Sequence, residues 1–221
     1  MKRMYALFHN REEAGQKLAE KLQKYHHSNA VVLGIPRGGM ALGYEVAKQL
    51  HLPLDIVLSK KIGHPLSSEF AIGSVSLDSV VLDENPGVSV EYIDDQIHKI
   101  RLALEEKRKL YGGGHPPIPL RDRPVIIVDD GIATGNTLLA TVQLLRKSGA
   151  SHIIAATPVI PLSRVAAIQK KVDELIYLSA PEYFPGVGIF YEDFEQVSDE
   201  EVIMLLELNR IQEENNNTHH V

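Results

Sequence analysis

The hydrophobic pattern of the chain alternates between short apolar runs and longer amphipathic segments. Apolar runs at 30–35, 53–60, 124–128, 152–157 and 174–178 predict strands. Several of these runs are apolar at successive positions, which is typical of strands buried on both faces rather than on one.

Amphipathic segments with helical spacing separate these strands. The first follows Asn10, a residue type that often caps helices, and has Glu13 at its third position. Strands that alternate with helices predict an α/β fold, an open, mostly parallel twisted sheet flanked by helices. The helices are predicted over 11–25, 38–50, 91–111, 136–148, 162–171 and 199–209.

Three stretches depart from this alternation. The β-rich segment 70–84 predicts a hairpin that turns at Asp78 and Ser79. The glycine- and proline-rich stretch 112–120 predicts a linker. The polar end 211–221 is expected to be a disordered tail, so that residues 1–210 form one domain.

Charge and amino-acid composition exclude several classes of function. A net charge of −6 and a pI near 5.9 argue against a nucleic-acid or membrane-surface binder. The absence of cysteine excludes disulfides, thiolate metal sites and cysteine nucleophiles. The sequence has neither an apolar run of about 18 residues nor the apolar region of a signal peptide, so we expect a cytoplasmic protein.

The segment VIIVDDGIATGNT at 125–137 carries the strongest chemical signal. Asp129 and Asp130 lie side by side at the end of a buried strand, where like charges and lost hydration cost several kcal/mol unless something offsets them. The small residues that follow lead into a helix, whose first amides and positive dipole end suit a phosphate. The spacing matches neither a P-loop nor a dinucleotide fingerprint.

This segment resembles the thirteen-residue signature of type I phosphoribosyltransferases, which bind phosphoribosyl pyrophosphate (PRPP). The resemblance implies that Asp129 and Asp130 hold the two ribose hydroxyls, and that the next loop wraps the 5-phosphate. The residues so assigned to the phosphate are Ala133, Thr134, Gly135, Asn136 and Thr137.

Two further segments resemble parts of the same family. GIPRGGMALG at 34–43 resembles the pyrophosphate loop, which assigns Arg37, Gly38 and Gly39 to the diphosphate. The segment 58–75 resembles the mobile catalytic loop, in which Lys60 or Lys61 would reach the pyrophosphate. Taken alone, the first segment is also ordinary turn chemistry and the second contains a solvated lysine pair. With the acidic pair, Arg37, Lys60 and Lys61 complete the expected catalytic centre.

An aromatic cluster lies near the C-terminal end, and two interpretations of it stay open. In the family a hood of variable segments covers the acceptor, here expected from 1–10 and 181–210, and aromatic faces suit stacking on a heterocycle. Alternatively, the cluster forms a hydrophobic subcore beneath the last helix. The residues assigned to the hood are Tyr183, Phe184, Phe190 and Tyr191.

The resemblance implies transfer of a phosphoribosyl group to a nitrogen acceptor, a nucleobase or related heterocycle, with release of pyrophosphate. Mg²⁺ would bind mainly with PRPP, with Asp129 and Asp130 as candidate ligands, and we expect a homodimer. Two alternatives remain: a non-catalytic PRPP or nucleotide sensor on the same fold, and a PRPP hydrolase. The ten histidines show no metal-ligand spacing, and His26–His27 and His219–His220 are interpreted as solvent-exposed pairs.

Overall fold

In this computed structural model the described residues are 5–83 and 87–218, with the side chains of 67–70 and 217–218 left outside the description. Within these ranges eight strands and six helices follow one another, with short 3-10 turns at Gln23–Tyr25 and Val187–Phe190. The strands are β1 Val31–Gly34, β2 Leu54–Ile56, β3 Ser59–His64, β4 Ser67–Ser76, β5 Val80–Leu82, β6 Pro124–Val128, β7 His152–Val159 and β8 Glu174–Ser179. The helices are α1 Arg11–Lys21, α2 Gly38–Leu50, α3 Val90–Gly112, α4 Asn136–Lys147, α5 Leu162–Gln169 and α6 Asp199–Thr218.

The main sheet has five parallel strands in the order β2-β1-β6-β7-β8. Successive side chains of a strand point to opposite faces. Val32 and Ile126 therefore pack in a core with α1, α2 and α6, whereas Val31 and Val125 pack in a second core with α4 and α5. The predicted parallel α/β sheet, buried on both faces, is confirmed.

The second sheet is antiparallel, in the order β3-β4-β5. The predicted turn is present: the Ser76 amide donates to the Ser79 carbonyl at 2.8 Å, and Asp78 accepts a hydrogen bond from the Ser148 hydroxyl at the end of α4. The predicted strand 53–60 is wrong in one respect, because the chain leaves the main sheet after Ile56 and β3 belongs to the other sheet.

The linker between α3 and β6 is anchored by a buried ion pair. Arg108 of α3 contacts Asp55 of β2, and the second carboxylate oxygen of Asp55 accepts the Ile118 amide at 3.0 Å. A buried carboxylate needs such partners. Because Asp55 binds both α3 and the Ile118 amide, it holds the glycine- and proline-rich segment in place, although this segment forms neither a helix nor a strand.

The last helix is longer than expected. It was predicted over 199–209, with a disordered tail from 211, but α6 continues to Thr218. Polar residues of the expected tail find partners at the end of α2: the Gln212 amide donates to the Lys48 carbonyl at 3.1 Å, and Asn216 lies 3.3 Å from His51. Residues 219–221 lie outside the described part of the chain.

Helix α6 also covers the free edge of β2. Asn209 is only 2% exposed, its Oδ1 accepts the Leu54 amide at 2.8 Å, and its Nδ2 donates to the Leu52 carbonyl at 3.2 Å. An uncovered edge strand would leave these backbone groups unpaired. In the described part of the chain, no helix is long and apolar enough to cross a membrane.

Asn209→Ala should lower the free energy of unfolding by about 2 kcal/mol, because two buried backbone groups lose their partners. Chemical denaturation with urea would measure this loss. Met204→Ala, on the same helix but 52% exposed, is the matched control and should change stability by less than about 0.5 kcal/mol. Equal effects of both substitutions would show that Asn209 acts only through helix propensity.

Candidate active site

The acidic pair lies at the carboxyl end of β6, the central strand of the main sheet. The Asp129 amide donates to the Ala156 carbonyl of β7 at 3.3 Å, which extends the sheet by one residue. The Tyr191 hydroxyl donates to the Asp130 carbonyl at 2.6 Å. Ligands of open parallel sheets bind beyond this edge, so the pair occupies the expected position.

Arg11 offsets the charge of Asp130. Its Nε and Nη2 both lie 2.9 Å from Asp130 Oδ2, and the two side chains are only 12% and 16% exposed. The guanidinium also stacks on the Phe194 ring, 3.8 Å from the centroid, and donates to the Glu195 carbonyl at 2.6 Å. Nothing in the local sequence marks Arg11 as the partner of Asp130, because the two residues are 119 positions apart.

Burial raises the pKa of both carboxyl groups, but Asp129 lacks the counter-charge that Arg11 gives to Asp130. Its Oδ1 accepts the Asp130 amide at 3.0 Å, and no cationic side chain of the described residues forms an ion pair with it. Burial, reinforced by the adjacent Asp130 charge, raises the pKa of Asp129 from 3.8 to about 8. Asp129 is therefore the carboxyl group that requires a proton or an external cation.

The loop after the acidic pair is fixed at both ends. The Ile132 amide donates to the Val159 carbonyl at 3.0 Å, and Leu139 begins the helical ladder by donating to the Gly135 carbonyl at 2.9 Å. Gly135 caps α4 with φ +82°, a conformation that glycine adopts most readily. Of the five predicted phosphate residues, Gly135 is buried and the other four are exposed: Ala133, Thr134, Asn136 and Thr137.

The predicted pyrophosphate segment meets the acidic pair directly. A Cβ on Gly38 would lie 1.9 Å from Asp130 Oδ2, and one on Gly39 would lie 2.4 Å from the Val128 carbonyl oxygen. Both glycines are therefore required by close packing of α2 against the end of β6. Arg37, preceded by a cis peptide bond, is partly exposed and lies 3.8 Å from Asp199.

The two lysines lie on β3 of the small sheet, and both are exposed. Lys61 lines a cavity of about 300 Å³ together with Asn136, the first residue of α4. Lys60 does not line this cavity, and both lysines line a second one, beside Tyr92 and Gln96 of α3. Lys61 is thus the lysine that shares a cavity with the phosphate loop.

The two segments predicted to form the hood, one from each end of the chain, contact each other in the structure. Phe8 and Tyr191 form a parallel bridge, and the Glu192 amide donates to the Phe8 carbonyl at 2.9 Å. The expectation that Phe190 and Tyr191 cover an acceptor needs correction, because they are 3% and 0% exposed and pack in the core. The subcore interpretation fits these two rings.

The other hood residues differ in exposure. Tyr183 is 65% exposed and its ring lies 5.8 Å from that of Tyr5, whereas Phe184 is half-buried and packs against Phe190 at 5.1 Å. Of the four aromatic residues assigned to the hood, Tyr183 has the most accessible face.

A parallel sheet with an acidic pair and a small-residue loop at the end of its central strand is the arrangement that the resemblance to phosphoribosyltransferases implies. The chain matches the phosphoribosyl transferase domain over residues 5–187 and belongs to that family. Its fold is also that of a protein of Thermus thermophilus, whose crystal structure superposes with a TM-score of 0.81. The two are 34% identical, over 90% of this chain and 97% of that one.

Two curated relatives also resemble this chain. A provisionally named phosphoribosyl transferase of Mycobacterium tuberculosis (strain H37Rv) is 37% identical over 206 residues, which cover 91% of this chain and 46% of that protein. The chain therefore spans about half the length of this relative. An adenine phosphoribosyltransferase of Mycobacterium avium (strain 104) is 36% identical over 81 residues, covering 29% of this chain and 45% of that protein.

Asp129→Asn should change the pH dependence of stability. Between about pH 4 and pH 8 the folded protein holds a proton on Asp129 that the unfolded chain releases, so rising pH lowers the free energy of unfolding. The slope for one proton is at most about 1.4 kcal/mol per pH unit. Denaturation at several pH values should show this slope in the unsubstituted protein and its reduction in Asp129→Asn.

Asp130→Asn is the matched neighbour and should behave differently. It removes the charged partner of Arg11, so we expect a loss of roughly 1.5–3 kcal/mol at neutral pH. If Asp129→Asn were instead the more destabilising substitution at pH 8, the unequal roles of the two carboxyls would be refuted.

Proposed function

We propose that this protein binds PRPP with Mg²⁺ and transfers its phosphoribosyl group to a nitrogen of a heterocyclic acceptor, releasing pyrophosphate. One observation carries the proposal. The pyrophosphate segment, the acidic pair and the phosphate loop, predicted to bind different parts of PRPP, lie next to one another at the carboxyl ends of the strands. Gly38 packs against Asp130, and the phosphate loop follows Asp130 directly. The ribose, the 5-phosphate and the diphosphate thus have adjacent binding groups.

The acidic pair supports a role for Mg²⁺. Asp130 already has Arg11 as its counter-charge, but Asp129 is a desolvated carboxyl group with a raised pKa and no ion-pair partner among the described residues. Carboxylate oxygen is a preferred ligand of Mg²⁺, so Asp129 fits a magnesium complex of PRPP, either through the ribose hydroxyls or through the ion. When bound, Mg²⁺ would neutralise charge on the diphosphate.

In the proposed reaction, each group of residues in the site has a separate role. A carbon–nitrogen bond forms at the anomeric carbon while the bond to the diphosphate oxygen breaks, and the bonding electrons leave with pyrophosphate. Asp129 and Asp130 hold the ribose, and the amides around Gly135 hold the 5-phosphate at the positive end of α4. Arg37 and Lys61 stabilise the charge that develops on the leaving group.

The acceptor is a nucleobase or a similar planar ring. The accessible aromatic faces of the hood, Tyr183 above all, suit stacking on such a ring. The relative from Mycobacterium avium is named for adenine, which makes adenine the first base to test.

PRPP together with Mg²⁺ should raise the melting temperature, because ligand that binds only the folded protein stabilises it by about 2.7 kcal/mol at a hundredfold excess over Kd. Differential scanning fluorimetry would measure the shift, and Mg²⁺ or PRPP alone should give less. Pyrophosphate release is then followed with a panel of nucleobases. Release that requires one base supports transfer, and release without any base indicates a hydrolase.

A protein that binds PRPP but releases no pyrophosphate under any of these conditions would be a PRPP sensor. A melting temperature unmoved by PRPP and Mg²⁺ would count against the whole proposal. Asp129→Asn is the internal control, since it should abolish the ligand-induced shift while leaving the protein folded.

Lys61→Ala should lower kcat/KM for PRPP by about tenfold to a hundredfold, since a charged contact to the leaving group is worth roughly 1.5–3 kcal/mol. Lys60→Ala is the matched control and should lose much less, because Lys60 is an adjacent exposed lysine that does not line the cavity shared with Asn136. A larger loss of kcat/KM in Lys60→Ala than in Lys61→Ala would show that Lys60 is the residue that reaches pyrophosphate.

A further inference from the structure

Three histidines from two separate loops, His26–His27 and His51, meet at the amino-terminal ends of strands β1 and β2. The candidate active site lies at the opposite, carboxyl ends of the strands. His26 and His27 lie in the segment before β1, and His51 caps α2 just before β2. Each offers a ring nitrogen, and these nitrogens all lie within 4.8 Å of one another. The ring centroids are separated by 4.2 Å, 4.6 Å and 5.2 Å.

The backbone holds this histidine cluster together. His27 and His51 both have φ +53°, a left-handed conformation that few residues other than glycine adopt. The His27 amide donates to the Leu50 carbonyl at 2.9 Å, which fixes the loop against the end of α2. Two unusual backbone conformations thus turn the three rings toward one point.

Helix α6 supplies a second layer of polar groups. Asn216 Nδ2 lies 3.3 Å from His51 Nδ1, and Glu213 on the same helix is within electrostatic reach of His51 and His27. A metal-bound histidine normally donates its other ring N–H to a carbonyl or carboxylate oxygen. Rotation of the Asn216 amide by about 180° would present its oxygen to His51 for this purpose.

We propose that His26, His27 and His51 form a binding site for a divalent transition-metal ion, with Zn²⁺ as the ion of best fit. Imidazole nitrogen suits Zn²⁺, and zinc–nitrogen distances of about 2.0–2.1 Å place tetrahedral ligand atoms about 3.3 Å apart. The nitrogens must therefore approach by at most about 1.5 Å. His26 and His27 are exposed, so their rings can rotate and solvent can take the fourth position.

The site would be structural rather than catalytic. It joins the segment after α1 to the end of α2, and through Asn216 it reaches the C-terminal part of α6. The strands β1 and β2 begin at this edge, whereas Asp129 follows the end of β6, so the whole sheet separates the two sites. Zinc binding is therefore independent of the proposed function.

Equilibrium dialysis of metal-free protein against Zn²⁺ near pH 7.5 tests the proposal. We expect one zinc ion per chain and a zinc-dependent rise in melting temperature. His27→Asn and His51→Asn should each weaken binding at least about tenfold, and asparagine tolerates the left-handed backbone. His26→Gln, at an ordinary backbone conformation, gives the same test should either asparagine variant fail to fold.

Two controls decide which histidines bind. His98→Asn, on the exposed face of α3, and the double variant His219→Asn/His220→Asn should keep full zinc affinity and the full rise in melting temperature. Absence of saturable zinc binding would overturn the proposal. So would binding that survives all three cluster substitutions, or binding lost only with His219 and His220.

Discussion

The adjacency of two carboxyl groups at the end of a buried strand is the constraint around which this molecule is arranged. Asp130 is tolerated because Arg11 reaches it from the start of α1, and that guanidinium in turn lies on Phe194 and bonds to the chain at Glu195. One ion pair therefore ties the first helix and the C-terminal hood to the central strand. Tyr191 adds to this by holding the Asp130 carbonyl.

The same ion pair makes the two carboxyl groups unequal. Burial raises the pKa of both carboxyl groups, but Arg11 opposes this at Asp130, so the larger electrostatic cost falls on Asp129, whose pKa is raised by burial and by its neighbour. A buried carboxyl group of this kind favours a ligand that brings positive charge or hydroxyl donors. Under the proposed function, the stability of the free protein and its affinity for PRPP with Mg²⁺ would both depend on this one side chain.

The carboxyl ends and the amino ends of the strands in the main sheet carry different chemical groups. At the carboxyl edge, glycines allow α2 to approach β6 closely, and small residues leave the start of α4 accessible. At the amino edge, chain reversals before β1 and β2 bring His27 and His51 together through left-handed backbone conformations. In a parallel sheet the two kinds of connection lie at opposite ends of the strands, so the proposed PRPP site and the proposed zinc site lie apart.

Local patterns determined most of the fold and the centre of the site, and long-range contacts decided the rest. Hydrophobic periodicity predicted the alternating strands and helices, and the stretch 125–137 carries its acidic pair, loop and helix start in consecutive residues, so neighbours in sequence were enough. The segment 53–60 was divided between two sheets by pairing that its own residues do not specify. The partner of Asp130 is 119 residues away, and the order of α6 beyond 209 depends on contacts with the end of α2. The histidine cluster likewise joins residues that look like separate surface groups in the sequence, because the distance between side chains in space is fixed only by the tertiary structure.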